Sequence, residues 1–186
     1  MIRKFVILFA FCIASVPAFA AEVAGVKLDD KMSLGGQELV LNGAGIRTKA
    51  IFKVYVGSLY VPAKATTAAA VYAKAPRRVQ LNMLRDVGSD AMIEALADGV
   101  KQGNSAADAA ALKGETDQLA AIMKSIGPLK EGNVLAFDFV DGATKVSLNG
   151  TEKGKIPGDA FNKGLMNAWL GDNPVQSDLK KAMLGG

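Results

Sequence analysis

Alternation of apolar and polar residues dominates the first third of the chain. From Val23 to Val61 the period is two, and the segments QELVLNGAGIRTK and AIFKVYVGSLYV are rich in β-branched and aromatic residues, which predicts strands. Asn42-Gly43 marks a turn or a bulge, Gly45 adds backbone freedom, and Pro62 ends the second strand because it brings no ladder donor. Residues 66–74, TTAAAVYAK, predict a short helix with a threonine to cap it. Alternation returns in RRVQLNMLR, Arg77 to Arg85, where Val79, Leu81 and Met83 oppose Gln80, Asn82 and Leu84, the pattern of a half-buried strand.

The period then lengthens. In GSDAMIEALADGVKQG a stripe of Met92, Ile93, Leu96 and Val100 predicts an amphipathic helix, with Ser89 placed to cap it. A second helix is expected from Ser105 to Ile126, with Leu112, Leu119, Ile122 and Met123 inward, a kink or split at Gly114, and a stop at Gly127-Pro128. NVLAFDFV and ATKVSLNG are strands joined by Asp141-Gly142, and Asn149-Gly150 turns into TEKGKIP, a meander. GDAFNKGLMNAWL is a helix carrying Phe161, Leu165, Trp169 and Leu170 inward and ending at Gly171. SDLKKAML is a last short helix with Ser177 at its cap position. Strands and helices are grouped rather than alternating, so the expected class is α+β: an antiparallel sheet with helices on one face, not a doubly wound parallel sheet.

Composition changes this picture at the N-terminus. Arg3 and Lys4 precede an apolar run from Phe5 to Ile13, and Ala18-Phe19-Ala20 fits the small-x-small rule. Residues 1–20 therefore read as a signal peptide cleaved after Ala20, leaving residues 21–186 as a single domain, exported to a bacterial periplasm. The run is shorter than the ~20 residues a membrane span needs, and Cys12 lies inside it without a lipobox. No later segment is apolar enough to span a membrane. Net charge is +4, lowered by two on cleavage, and no dense basic patch occurs, so nucleic acid is not an expected partner. Histidine is absent, and no cysteine follows the leader. That excludes Ser-His-Asp and Cys-His catalysis, His- or thiolate-bound zinc, common haem ligation and disulfides. No cofactor or metal is expected.

The candidate chemistry narrows to a few positions. Gly43-Ala44-Gly45 is not a dinucleotide fingerprint, because a strand rather than a helix follows it. Arg47 is either a solvent-facing strand residue or a planar fork offered to a carboxylate or enolate. Alternation puts Arg47, Lys49, Ile51, Lys53 and Tyr55 on one nominal side unless a bulge intervenes, as a wet face or as the polar end of an apolar cavity. Tyr55 and Tyr60 lie on opposite faces. Arg85 neighbours Asp86, the reading being a local ion pair. Met83, Met92, Met123 and Met166 suit adaptable packing around a lipid or, as methionines more often do, the filling of gaps in a core. Asp138 is expected on the solvent side of its strand, and no convincing pair of carboxylates occurs.

GAGIR…FKVYVGSLYVP, Gly43 to Pro62, together with KVSLNGTEKGKIPGDAFNKGLMNAWLGDNPVQSDLKKAMLG, Lys145 to Gly185, resembles the chalcone isomerase-like superfamily, and in particular its bacterial exported branch. The resemblance implies an open-faced β-sandwich: a long antiparallel sheet, a layer of helices and a ligand cleft between them. It also implies that Arg47 meets a negative oxygen of the ligand. In the plant enzymes that cyclise chalcones such an arginine would stabilise a developing enolate, electrostatic catalysis without histidine. In the branch that binds fatty acids, arginine and tyrosine hold a carboxylate. The enzyme's threonine on the next strand is Tyr55 here, and its helix tyrosine and asparagine fall near Ala91 or Met92 and at Asp98. The expectation is a non-catalytic, monomeric periplasmic protein. It would hold a small amphipathic acid, fatty-acid-like, through Arg47 and Tyr55. The alternatives are an intramolecular lyase acting on a chalcone-like substrate with Arg47, and a scaffold whose cleft is filled by side chains.

Overall fold

The computed structural model describes residues 21–73 and 75–186. The expected leader, residues 1–20, lies outside the described residues. The described residues form nine strands: β1 (Ala21–Val23), β2 (Val26–Leu28), β3 (Lys31–Leu34), β4 (Gln37–Lys49), β5 (Phe52–Val61), β6 (Arg77–Met83), β7 (Val134–Val140), β8 (Ala143–Leu148) and β9 (Thr151–Pro157). The last seven form one sheet in sequence order, each antiparallel to its neighbour, while β1 and β2 make a separate hairpin. Helix α1 (Ala68–Tyr72) lies in the β5–β6 connection. Helices α2 (Ser89–Gly103), α3 (Ala106–Ala111) and α4 (Lys113–Ile126) occupy the β6–β7 connection, and α5 (Asp159–Leu170) and α6 (Ser177–Met183) follow β9. Helices pack on one side of the antiparallel sheet, the α+β arrangement that grouping of the elements predicts.

Local chemistry accounts for most boundaries. Asp141-Gly142 (φ 54° and 66°) and Asn149-Gly150 (φ 50° and 80°) are left-handed pairs, so both meander turns form where the sequence places them. Thr67 caps α1 by accepting from the Ala70 N–H, and Ser105 caps α3 by accepting from Asp108 N–H. Gly127 (φ 79°) closes α4. Two other caps are absent. Ser89 and Ser177 are the first residues inside their helices, and Gly88 and Gln176 hold the cap positions without a side-chain bond. The break between α3 and α4 falls at Leu112, whose side chain is buried, rather than at Gly114.

The helix-side core runs from Leu59, Leu81 and Leu135 on the sheet to Leu96, Leu165 and Trp169 on the helices. Trp169 tilts over Phe137 with ring centroids 5.7 Å apart. On the other face Leu28, Leu39, Leu41, Val56 and Tyr60 form a smaller core beneath the β1–β2 hairpin. Tyr55 and Tyr60 accordingly point to opposite faces, as alternation requires. Asp138 does not sit in solvent: it is 6 % exposed and takes a two-pronged bond from Arg78, 2.5 and 2.7 Å. Cross-strand pairing of Arg78 with Asp138 supplies the partner that the local sequence could not reveal.

The segment Leu41–Pro62 differs most from a plain hairpin. Asn42-Gly43 is no turn, since β4 runs through it and reverses only at Ala50-Ile51, where Ala50 has φ 54°. Asn42 is a bulge residue, the extra one between the Leu41–Tyr60 and Gly43–Leu59 pairs. Its side chain takes the Ala65 N–H (2.7 Å) and donates to the Ala65 and Met183 carbonyls (2.9 and 2.8 Å). Gly43 and Gly45 let α6 lie against the strand: a Cβ at Gly43 would come 2.1 Å from the Ala182 carbonyl oxygen. The glycines thus serve helix docking, not turn flexibility.

Candidate functional site

A second bulge makes the site. Arg47 pairs with Tyr55, yet the next residue, Thr48, pairs with Lys53, so Val54 is the extra residue on β5. Alternation is broken there. Phe52, Val54 and Tyr55 all line one cavity, and Lys53 leaves the set of residues expected on Arg47's side. The cavity measures about 590 Å³ and lies between the sheet and α2. That size is in the range of small-molecule sites. The cleft is therefore open rather than filled by side chains as the scaffold alternative expects.

Arg47 is half-buried and lines the cavity. Its Nη1 donates to the Thr48 carbonyl (2.6 Å) and to Gln176 Oε1 (3.3 Å). Gln176 also accepts from Thr48 N–H (2.9 Å) and donates to the Ile46 carbonyl (3.0 Å), a clamp on the backbone at the bulge. Gln176 stands where it does because α6 follows directly and is seated on Gly43 and Gly45. The fork is thus held in place before any ligand arrives, which removes part of the ordering cost of recognition.

Tyr55 is 7 % exposed, and its hydroxyl accepts from Trp169 Nε1 at 3.0 Å. Indole N–H can only donate, so the phenol proton points elsewhere. Burial pushes the Tyr55 hydroxyl above its usual value, while the bond from Trp169 and the Arg47 charge pull it partly back. Tyr55 therefore stays protonated at neutral pH, a neutral donor beside a fixed cation. Arg47 and Tyr55, the two ligand-binding residues expected from the sequence, are brought together in one wall.

The facing wall comes from α2. Met92 and Leu96 are buried there, with Ala91, Ala95, Asp98 and Gly99 beside them along the cavity. Of the four methionines singled out in the sequence, Met92 lines the cavity, while Met83, Met123 and Met166 are core. Trp169, Ala168 and Val175 form the end wall. Gly99 allows α2 to approach α5, because a Cβ there would meet Ala168 Cβ at 2.8 Å.

Arg85 is a cavity residue that the sequence reading assigned to an ion pair. Its neighbour Asp86 instead accepts from Lys130 Nζ (2.8 Å) and from Glu131 N–H (2.9 Å), which holds its carboxyl below the usual range. The Arg85 guanidinium lies 4.5 Å from the centroid of the Phe52 ring, and both border the cavity. Gln176 was also missed. A glutamine between a proline and a helix carries no local signal, and its role exists only through strand β4, far away in sequence.

The comparisons agree with this architecture. The model of the chalcone isomerase-like family matches residues 20–185. No curated protein matches the sequence. Among solved structures 37 chains match, and one is a fatty-acid binding protein from Arabidopsis thaliana. It aligns with a TM-score of 0.67 at 12 % identity, covering 86 % of this chain and 92 % of that one, a likeness of fold. With a strand-order meander, a helix layer on one face and a family match over nearly all the described residues, this chain belongs to the chalcone isomerase-like family.

Proposed function

We propose that this protein is a non-catalytic holder of a small amphipathic acid, fatty-acid-like, exported to the periplasm as a monomer and a member of the exported branch of its family. One observation carries the reading: a cavity of about 590 Å³, lined mostly by apolar side chains, with a pre-positioned cation and a protonated phenol in the same wall. Arg47 offers a planar donor fork and Tyr55 an O–H, which together match two carboxylate oxygens. Leu81, Val54, Met92 and Leu96 offer the tail an apolar wall. The similar plant structure, a fatty-acid binding protein by name, supports the same class of ligand. The basic and apolar pattern of residues 1–20 supports export.

An enolate-stabilising role for Arg47 would need polar groups on the helix wall to position a polyphenol. Ala91 and Met92 supply no hydroxyl where the resemblance would put the enzyme's tyrosine, and Asp98 stands where it would put the asparagine, although the Gln102 amide also borders the cavity. Cyclisation of a chalcone is expected to run at its spontaneous rate, and an acceleration lost in Arg47→Ala would move the protein to the lyase reading.

Trp169 is the single tryptophan and borders the cavity, so its fluorescence reports occupancy. Titration with oleate below its micelle concentration should give a saturable change. Arg47→Ala should weaken binding by roughly 10- to 100-fold, the weight of a charge-assisted bond, and oleyl alcohol should bind the parent as weakly as oleate binds the variant. Equal affinity of parent and Arg47→Ala for oleate would remove the carboxylate anchor.

A further inference from the structure

The reversal between β4 and β5 is the lip of the cavity and carries the large apolar side chains that the described residues leave exposed: Ile51, 85 % exposed, and Phe52, 53 %. A folded chain gains nothing by presenting both at one hairpin tip when β5 is buried from Tyr55 to Val61. Lys49 and Lys53 flank them, both exposed, and Arg85 rests on Phe52 from the next strand's end. The one acidic residue on the two strands is Glu38, at the far end of β4 and paired there with Lys31, so nothing near the tip opposes these charges. Asp86, the carboxylate next to Arg85, is paired with Lys130. Two apolar side chains ringed by cations form a wedge for an interface that is apolar inside and negative outside.

We propose that this tip docks on an anionic lipid bilayer, with Ile51 and Phe52 entering the headgroup–acyl boundary and Lys49, Lys53 and Arg85 meeting lipid phosphates. Lys49, Ala50, Phe52 and Arg85 also line the cavity, so docking turns the cavity's mouth toward the membrane. An acyl ligand then passes between bilayer and cavity without crossing water. This delivery step rests on the acyl-binding reading, whereas the docking itself does not. The two energy sources are familiar for peripheral proteins: burial of a few apolar side chains, plus attraction of basic residues to the negative surface.

The test uses ligand-free protein and sedimentation with vesicles of pure phosphatidylcholine or of phosphatidylcholine with increasing phosphatidylglycerol. Binding should rise with the phosphatidylglycerol fraction and fall with salt. Lys53→Glu should weaken it by roughly fivefold or more, since each basic residue near such a surface contributes on this scale. Ile51→Ser should weaken it by roughly tenfold. Neither side chain lines the cavity, so both variants should keep the parent's response of Trp169 to oleate in the absence of vesicles. Sedimentation that is absent, indifferent to phosphatidylglycerol, or unchanged in both variants would overturn the proposal. So would a dimer in the parent, seen by light scattering without vesicles, that Ile51→Ser reverts to a monomer, for the tip would then serve a second copy of the chain. Vesicle binding without any oleate response would uphold the docking surface and remove the acyl ligand, so the two readings fail separately.

Discussion

Arg77 and Arg47 stand at opposite ends of the strands that face the helices, and their surroundings differ. Arg77 is 8 % exposed, lies 5.4 Å from the Phe139 ring centroid, and donates from Nε to Met166 Sδ. Around it Thr144 bonds Asn162 and Tyr72 bonds Asn167, so helix α5 is sealed onto the sheet there. Arg47 is also held by protein groups, but beyond it the helix layer stands off and leaves the cavity. Trp169 divides the two: one face of its surroundings is Phe137, and its N–H reaches Tyr55 at the cavity wall. One end of the interface converts its polar groups into internal bonds. The other fixes them in position and leaves them facing open volume, which is what a binding site requires and a core does not.

The sharpest way to break this contrast is at the sealed end. Phe137→Ala removes a ring with no exposed surface and should cost about 3–5 kcal/mol of unfolding free energy in denaturant titration. A loss under about 1 kcal/mol would mean that the sealed end is as loose as the open one. Next is Gly43→Ala. The added methyl group would meet the Ala182 carbonyl, so α6 must shift and carry Gln176 with it. We expect about 1–3 kcal/mol of destabilisation, together with weakened oleate binding, although Gly43 does not touch the cavity. Unchanged binding in a destabilised Gly43→Ala protein would separate helix docking from the placement of Arg47.

A third effect is nil at neutral pH. Burial raises all three tyrosines above the usual 10.0: Tyr55, Tyr60 to about 12 and Tyr72 to about 12. A group raised in the folded state contributes its full stability below the unfolded value and loses it as pH climbs through the folded one. The melting temperature should therefore hold up to about pH 10 and fall toward 12, in step with phenolate absorbance. Phenolate appearing at pH 10 without unfolding would show that these hydroxyls are wet. The smallest effect on stability belongs to Ala91→Leu on the open wall. It should change unfolding by no more than about 0.5 kcal/mol, because Ala91 is exposed and borders empty volume. The same change should reduce oleate affinity by narrowing the cavity.

The elements were legible because their signals are local. Asn149-Gly150 needs only its own backbone to specify a turn, and Val79, Leu81 and Met83 need only alternation to specify a buried face. Arg47 and Tyr55 were legible as candidates, from residue chemistry and from the resemblance. Their meeting in one wall was not, since it depends on Val54 being the extra residue of a bulge. Arg85 was read against its neighbour Asp86, whereas the fold gives Asp86 to Lys130 and Arg85 to Phe52. Ser89 and Ser177 look like caps by composition, but each is the first residue inside its helix, and Gly88 and Gln176 hold the cap positions.

By itself the sequence determined the order of strands and helices, the two meander turns, the inward stripes of the helices and the exclusion of histidine chemistry. Those follow from periodicity, from left-handed turn residues and from which side chains exist. The tertiary structure alone decided the rest. It set which bulge turned Lys53 out and Val54 in, which glycines were platforms for α6, and where the helix layer left a cavity. It also decided that Ile51 and Phe52 would remain uncovered at the cavity's lip. Each of these depends on the distance between segments far apart in the chain, and side-chain volume and backbone pairing fix that distance only when the whole fold is assembled.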